Sequence, residues 1–191
     1  MSSSIKQTAL RTIKMEAQSI DGLAEFINTD FEKTVEAIAS SKGRVVISGI
    51  GKSAVIAQKI VATLNSTGTP SIFMHAADAI HGDLGMIQQD DVVVIISKSG
   101  SSPEIKVLVP LLKNLGNILI GMVGTLDSFL AKQSNYILNT TVDKEACLNN
   151  LAPTTSTTAS RFRRVSIGTG ESTEQSISRI RRDQLRDTNG T

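Results

Sequence analysis

Residues 92–96 are five consecutive β-branched residues, Val-Val-Val-Ile-Ile, and this run constrains the fold more than any other stretch of the chain. β-branched side chains favour the extended backbone of a strand. A strand that is apolar at every position, rather than at alternate positions, is typical of a parallel sheet covered by helices on both faces. The run therefore predicts a parallel strand in an α/β protein.

Strand and helix patterns alternate along the rest of the chain. Residues 4–41 carry apolar residues at helical spacing, with one face comprising Ile20, Leu23, Ile27 and Phe31, and a break at residues 28–30 predicts two helices there. Beyond them we predict strands, separated by helices, at residues 44–48, 71–74, 91–96, 118–123 and 136–139. Ligands of such sheets bind outside the carboxyl ends of the strands.

A loop rich in hydroxyl groups, residues 97–102, follows the apolar run. We predict that Ser102 caps a helix whose first residue is Pro103. Serine hydroxyls, backbone N–H groups and the positive end of a helix then meet at one place, which suits a phosphate group. Ser97, Ser99 and Ser102 are expected to hold that phosphate, so the ligand is predicted to be a phosphorylated small molecule.

A glycine turn, residues 49–53, follows the first predicted strand. The turn is similar to the end of a nucleotide-binding P-loop, but that motif needs a glycine where Val46 stands. A dinucleotide-binding motif needs an acidic residue after the second strand, where His75 stands. The sequence therefore favours neither a P-loop nucleotide-binding protein nor a dinucleotide-binding protein. Lys52 then begins a helix, where a cation is unfavourable unless an anion binds, although a solvated lysine is the simpler interpretation.

Both histidines, His75 and His81, follow the second predicted strand. They could serve proton transfer, bind a metal or make structural hydrogen bonds. A zinc site is poorly supported because the single cysteine, Cys147, is distant in the sequence. Glu104 has a sufficient structural role as an acidic residue in the first turn of a helix. The spacing of Glu145 relative to its neighbours in the sequence does not indicate a particular role for it.

The composition excludes several classes of protein. A length of 191 residues fits one domain. A net charge of +2, no Trp and one Tyr do not favour a nucleic-acid or membrane partner. No apolar run reaches the length of a transmembrane helix, and a single Cys fits a reducing compartment, so a cytoplasmic protein is expected.

Together these segments resemble the sugar-isomerase (SIS) domain, and specifically arabinose-5-phosphate isomerases. The matching stretches are residues 48–53, 66–70, 81–87, 97–100 with 104–105, 144–147 and 151–158. The resemblance covers roughly residues 5–159. It implies a three-layer αβα sandwich with a mainly five-stranded parallel sheet and N-terminal helices.

The resemblance implies reversible conversion of D-arabinose 5-phosphate into D-ribulose 5-phosphate through an enediol. It also implies that no cofactor is needed, that the ligand is a sugar phosphate and that the chain forms a homo-oligomer, either a dimer or a tetramer. Such enzymes feed synthesis of the sugar acid Kdo for lipopolysaccharide or capsule.

The resemblance also assigns site residues. The catalytic residues it implies are Lys52, Glu104 and Glu145, with Lys52 stabilising the enediolate and one of the two glutamates acting as the base. The substrate-binding residues are Gly68, Thr69, His75, His81 and the loop serines Ser97, Ser99 and Ser102. His75 is also implied as a contact for an inhibitory zinc ion.

The family pattern stops at residue 159. Residues 160–191 hold seven of the nine Arg and none of the 11 Lys. We therefore expect an SIS domain over residues 1–159 and a divergent basic tail over residues 160–191, which is solvated, disordered, frameshifted or fused, and activity below that of the family. The alternatives are a module that binds a phosphosugar without catalysis and a non-functional fragment.

Overall fold

The computed structural model describes residues 2–142 and Arg161, which form a parallel sheet between layers of helices. The helices are α1 Ser2–Asp21, α2 Thr29–Ser40, α3 Lys52–Ser66, α4 Ala76–Ala79, α5 Pro103–Leu115 and α6 Phe129–Gln133, with 3₁₀ helices at Gly22–Phe26 and Asp83–Met86. The strands are β1 Val45–Gly49, β2 Ser71–His75, β3 Val92–Ser97, β4 Ile118–Val123 and β5 Tyr136–Asn139. Their order in the sheet is β2-β1-β3-β4-β5, and all pairs are parallel.

The central strand β3 is buried at all six positions. Val92, Val94 and Ile96 pack in one core layer with α2 and α3. Val93 and Ile95 pack in the other layer with α5 and α6. The apolar run is therefore covered on both faces, as its composition requires, and the prediction of a three-layer αβα sandwich with a five-stranded parallel sheet is confirmed.

The element boundaries differ from the prediction in several places: β1 and β3 each begin and end one residue later than predicted, and β2 continues to His75. Strand β3 extends one residue further than predicted, to Ser97, so the sheet itself positions that serine. The N-terminal region was predicted as two helices, but a 3₁₀ helix, Gly22–Phe26, separates α1 from α2. The apolar face drawn from Ile20 to Phe31 is therefore not continuous on one helix.

Two long-range contacts attach outlying parts of the chain. The Asp30 carboxylate accepts a hydrogen bond from Ile137 N at 2.9 Å, which ties α2 to the edge strand β5. Arg161 is buried; its Nη2 donates to Phe26 O at 2.7 Å and its guanidinium lies 5.2 Å from the centre of the Phe31 ring. Arg161 lies in the segment expected to form a divergent basic tail, and its side chain is buried. Within the described residues, no helix is both long and apolar enough to cross a membrane.

Candidate functional site

The carboxyl ends of β1, β2 and β3 lie level with one another at the same edge of the sheet. Gly49 at the end of β1 is aligned with His75 of β2 and with Ile96 of β3. Adjacent strands lie about 4.8 Å apart, so the loops that follow them begin within about 10 Å of each other. The connection after β1 leads to β2 on one side of the sheet, and the connection after β3 leads to β4 on the other side. These two connections diverge between β1 and β3, and in this topology ligands bind in the crevice between them.

The loop after β3 is held in a fixed conformation. Ser97 Oγ accepts a hydrogen bond from Gly100 N at 3.0 Å. Gly100 O accepts from Leu130 N at 2.8 Å, and Ser101 Oγ accepts from Phe129 N at 3.0 Å. These bonds attach the loop to α6 and fix its conformation, so the loop needs little reorganisation to bind a ligand.

Ser102 occupies the N-cap position of α5 and Pro103 is its first residue, as predicted, but the Ser102 side chain makes no capping hydrogen bond. The prediction of a side-chain cap is therefore wrong. The Ser102 Oγ atom is buried and has no hydrogen-bond partner among the described residues. Because an unsatisfied buried hydroxyl costs about 1–3 kcal/mol, it is a natural partner for a ligand. The side chain of Ser99 is exposed at the same loop.

Glu104 lies in the first turn of α5, beside Ser102. Its own backbone N–H, and then the nearby Ser102 hydroxyl, lower the pKa of the Glu104 carboxyl below its ordinary value. The hydroxyl is near enough to favour the charged carboxylate, although its geometry falls short of a hydrogen bond. Glu104 is therefore a carboxylate at neutral pH and can accept a proton from a substrate.

Lys52 begins α3 after a tight glycine turn. Gly51 has φ +57°, a conformation that favours glycine. A Cβ atom on Gly49 would lie 2.9 Å from the Ser53 carbonyl carbon, so glycine there allows the helix to start directly against β1. The exposed Lys52 side chain thus stands at the carboxyl edge, on the other side of the crevice from the serine loop.

The two histidines lie on the β2 side of this edge. His75 ends β2, and its Nδ1 is buried, 3.7 Å from Asp78 Oδ2, with no hydrogen-bond partner in the part of the chain that the structure describes. His81 follows α4, its backbone N donates to Asp78 O at 2.9 Å, and its side chain is exposed. Both residues can contact a ligand that extends from the serine loop towards β2.

The structure does not bring all the predicted residues together. Gly68 and Thr69 precede β2 and so lie at the opposite, amino edge of the sheet, where the Val45 N–H donates to Pro70 O. The five residues of β2 separate the two edges by about 16 Å, so within one chain neither residue can contact a ligand in the crevice. Glu145 lies outside the described residues, as do the matching stretches 144–147 and 151–158.

A resident metal does not fit the described part of the site. Across residues 2–142 and Arg161, no group of three His, Cys, Asp or Glu side chains is arranged to hold a metal ion. His75 as a contact for an inhibitory zinc ion stays a prediction.

The sequence patterns did not reveal the contacts that fix the serine loop. Gly124 N donates to Lys98 O at 3.0 Å, and Gly100 packs against Ser128. Their partners lie 26 to 28 positions away in the sequence, so no local motif marks them. The one local signal was the glycine itself, which is common where the backbone needs a positive φ.

Replacing Gly100 by Ala is expected to weaken phosphate-ligand binding about tenfold. Gly100 has φ +61°, and a Cβ there would meet Ser128 Oγ and lie 2.6 Å from Ser128 Cβ. Strain of about 1–3 kcal/mol must then displace the loop from α6. Gly116→Ala is the matched control, because Gly116 also has positive φ but no atom lies within 4 Å of its added Cβ. Equal binding losses in both variants, measured by calorimetry, would contradict the role of the loop.

Comparison with known proteins gives a consistent result. A family model described as the SIS domain matches residues 37–166. The arabinose 5-phosphate isomerase KdsD of Pseudomonas aeruginosa is 52% identical over 151 residues, which cover 79% of this chain and 46% of that protein. The chain thus spans about half the length of the curated relatives it matches.

Two solved structures share the fold. An E. coli CFT073 protein in complex with arabinose 5-phosphate is 34% identical, with a TM-score of 0.84, and the match covers 91% of this chain and 94% of that one. The Vibrio vulnificus NanR protein complexed with ManNAc-6P has a TM-score of 0.74 over 94% of this chain and 68% of that one. At 14% identity the second likeness shows the fold alone.

Proposed function

The chain belongs to the SIS domain family, and from this we propose that it is an aldose–ketose isomerase that interconverts D-arabinose 5-phosphate and D-ribulose 5-phosphate. The observation that carries the proposal is the crevice between β1 and β3. A rigid serine loop suited to phosphate, an ionised Glu104 and the Lys52 cation all border it. The relatives' names and the neighbour bound to arabinose 5-phosphate support the same substrate.

The proposed reaction needs a base, a cation and a phosphate anchor. Ser97, Ser99 and Ser102 hold the phosphate, with the N-terminus of α5. A carboxylate removes the proton from C2 of the aldose and returns it to C1 of the enediol, so the carbonyl moves from C1 to C2. Lys52 stabilises the negative charge that develops on the enediolate oxygen.

Glu104 is the base that the described residues favour, because it lies in the first turn of α5, directly after the serine loop. Glu145 is the other candidate from the sequence. His75 and His81 are proposed to contact the sugar hydroxyls and to pass the hydroxyl proton between O1 and O2. No cofactor takes part in this scheme, and the interconversion would serve Kdo synthesis.

The direct test is incubation of the purified chain with arabinose 5-phosphate in D₂O. An enediol mechanism exchanges the transferred proton with solvent, so the expected result is ribulose 5-phosphate with deuterium at C1. NMR detects both the product and the deuterium label. Absence of both turnover and deuterium exchange would refute the proposed isomerase activity. Turnover equal to that of a full-length family member would contradict the expectation of reduced activity.

The alternative is a module that binds a phosphosugar without catalysis. It predicts calorimetric binding of arabinose 5-phosphate with no deuterium exchange. It also predicts that Glu104→Gln leaves binding unchanged and that neither this variant nor the wild type isomerises the sugar.

A further inference from the structure

The serine loop has a second support, which lies at the ends of β4 and β5 and is separate from the contacts with α6. Gly124 directly follows β4, and its N–H donates to Lys98 O at 3.0 Å. Lys98 stands between Ser97 and Ser99, two of the residues proposed to hold the phosphate. The position of the Gly124 backbone therefore affects the conformation of the serine loop.

Glycine at position 124 allows this close approach. A Cβ atom there would lie 3.2 Å from both Lys98 Cγ and Lys98 O, which is closer than ordinary van der Waals contact. Glycine is also the residue whose backbone is least restricted. The contact with the loop is thus made by a residue that is not rigid by itself, and a further contact is needed to fix its backbone.

The hydroxyl group of Thr141 provides that contact. Thr141 lies just after the end of β5, and its Oγ1 donates to Gly124 O at 3.1 Å. One hydrogen bond therefore holds the peptide group before the Gly124 Cα, and the other holds the peptide group after it. Because these two planar groups define the torsions of the residue between them, the two bonds together restrict both backbone torsions of Gly124.

The side chain of Asn139 holds Thr141 in place. Asn139 is the last residue of β5, and its Oδ1 accepts hydrogen bonds from Thr141 N at 2.8 Å and from Thr141 Oγ1 at 2.6 Å. A side-chain oxygen that binds the backbone two residues further along forms an Asx turn. The single hydroxyl proton of Thr141 is shared between Asn139 Oδ1 and Gly124 O, and the backbone bond keeps this hydroxyl beside both acceptors.

We propose that Thr141 is a positioning residue for phosphate binding. Through Gly124 its hydroxyl holds the serine loop in the conformation that receives the phosphate group, and Asn139 orients that hydroxyl. This role rests on the function proposed for the serine loop, but it does not depend on which glutamate is the base. Because the loop is also attached to α6, loss of the hydroxyl is expected to weaken phosphate binding without abolishing it.

Calorimetry with inorganic phosphate and steady-state kinetics with arabinose 5-phosphate test this role. Thr141→Val keeps the shape of the side chain without its hydroxyl, and it is expected to raise the phosphate Kd and the KM about fivefold. The phosphate is held equally in the ground state and in the transition state, so kcat should stay within about twofold of wild type. Thr141→Ser keeps a hydroxyl and should bind phosphate as wild type does. Thr125→Val is the matched control, because Thr125 is exposed and adjoins Gly124 in the sequence.

Amide hydrogen exchange of the unliganded chain, followed by NMR, measures the support itself. The Gly124 N–H is expected to exchange about threefold faster or more in Thr141→Val, and to be unchanged in Thr125→Val. A wild-type chain that binds no phosphate would refute the function proposed for the loop and this role with it. If wild type binds phosphate, an unchanged Kd in Thr141→Val, or a raised Kd that persists in Thr141→Ser, would overturn the role of Thr141 and leave the proposed isomerase activity standing.

Discussion

Glu104→Gln is expected to lower kcat for arabinose 5-phosphate by about 10²- to 10⁴-fold and to leave KM nearly unchanged. The amide keeps the shape of the side chain but cannot accept the C2 proton. Steady-state assays measure the loss, and calorimetry with arabinose 5-phosphate shows that the phosphate loop still binds. In the D₂O experiment, deuterium exchange should fall together with turnover.

Glu32→Gln is the control, because Glu32 also lies in the first turn of a helix, α2, but is exposed and far from the crevice. It should retain wild-type kcat. The lowered pKa of Glu104 adds a pH signature. If Glu104 is the base, the fall in kcat/KM that its own protonation causes should lie below the ordinary glutamate pKa of about 4.3. A Glu104→Gln variant with kcat within threefold of wild type would transfer the role to Glu145.

The fold could be predicted because its strongest signals are local. The run 92–96 is apolar at every position, and only a strand covered on both faces accommodates that pattern. Strands β4 and β5 also begin and end where the sequence pattern places them. The 3₁₀ helix after α1 was missed because apolar spacing alone does not distinguish one long helix from two segments joined at a glycine.

The site was only partly predictable, for a physical reason. The sequence pattern predicts that Lys52 and the serine loop each follow a strand. In a parallel sheet the carboxyl ends of the strands lie at the same edge. The same topology places Gly68 and Thr69 at the other edge, because they precede a strand rather than follow it. No pattern indicates that Ser101 binds α6 while Ser102 stays unpaired, since that depends on contacts between distant segments.

The amino edge of the sheet depends on one buried carboxylate. Asp91 has a side chain inaccessible to solvent, and its oxygens accept hydrogen bonds from Arg44 N at 2.7 Å, Arg44 Nη2 at 2.8 Å and Gln88 N at 2.9 Å. Arg44 Nη2 also donates to Met86 O at 2.8 Å. This network joins the start of β1 to the turn before β3, although Arg44 and Asp91 lie 47 positions apart.

Asp91→Ala is expected to lower the free energy of unfolding by about 2–3 kcal/mol, because it leaves the backbone N–H groups of Arg44 and Gln88 without their acceptor and removes the partner of the Arg44 guanidinium. Urea denaturation at neutral pH measures the change. Asp90→Ala, at the exposed neighbouring position, should cost less than about 0.5 kcal/mol. An Asp91→Ala loss no larger than that of Asp90→Ala would show that the network does not stabilise the sheet.

The same carboxylate gives a pH dependence with a defined sign. Burial alone raises the pKa of the Asp91 carboxyl, but hydrogen bonds from the Arg44 guanidinium and from the N–H groups of Gln88 and Arg44 outweigh it and lower the pKa. The stabilisation is therefore complete above the ordinary aspartate pKa of about 3.9 and is lost as the pH falls through the lower value of the folded state. Because Asp91→Ala has no such group, its unfolding free energy should change less than that of wild type below pH 4, so the difference between the two proteins should narrow with acid.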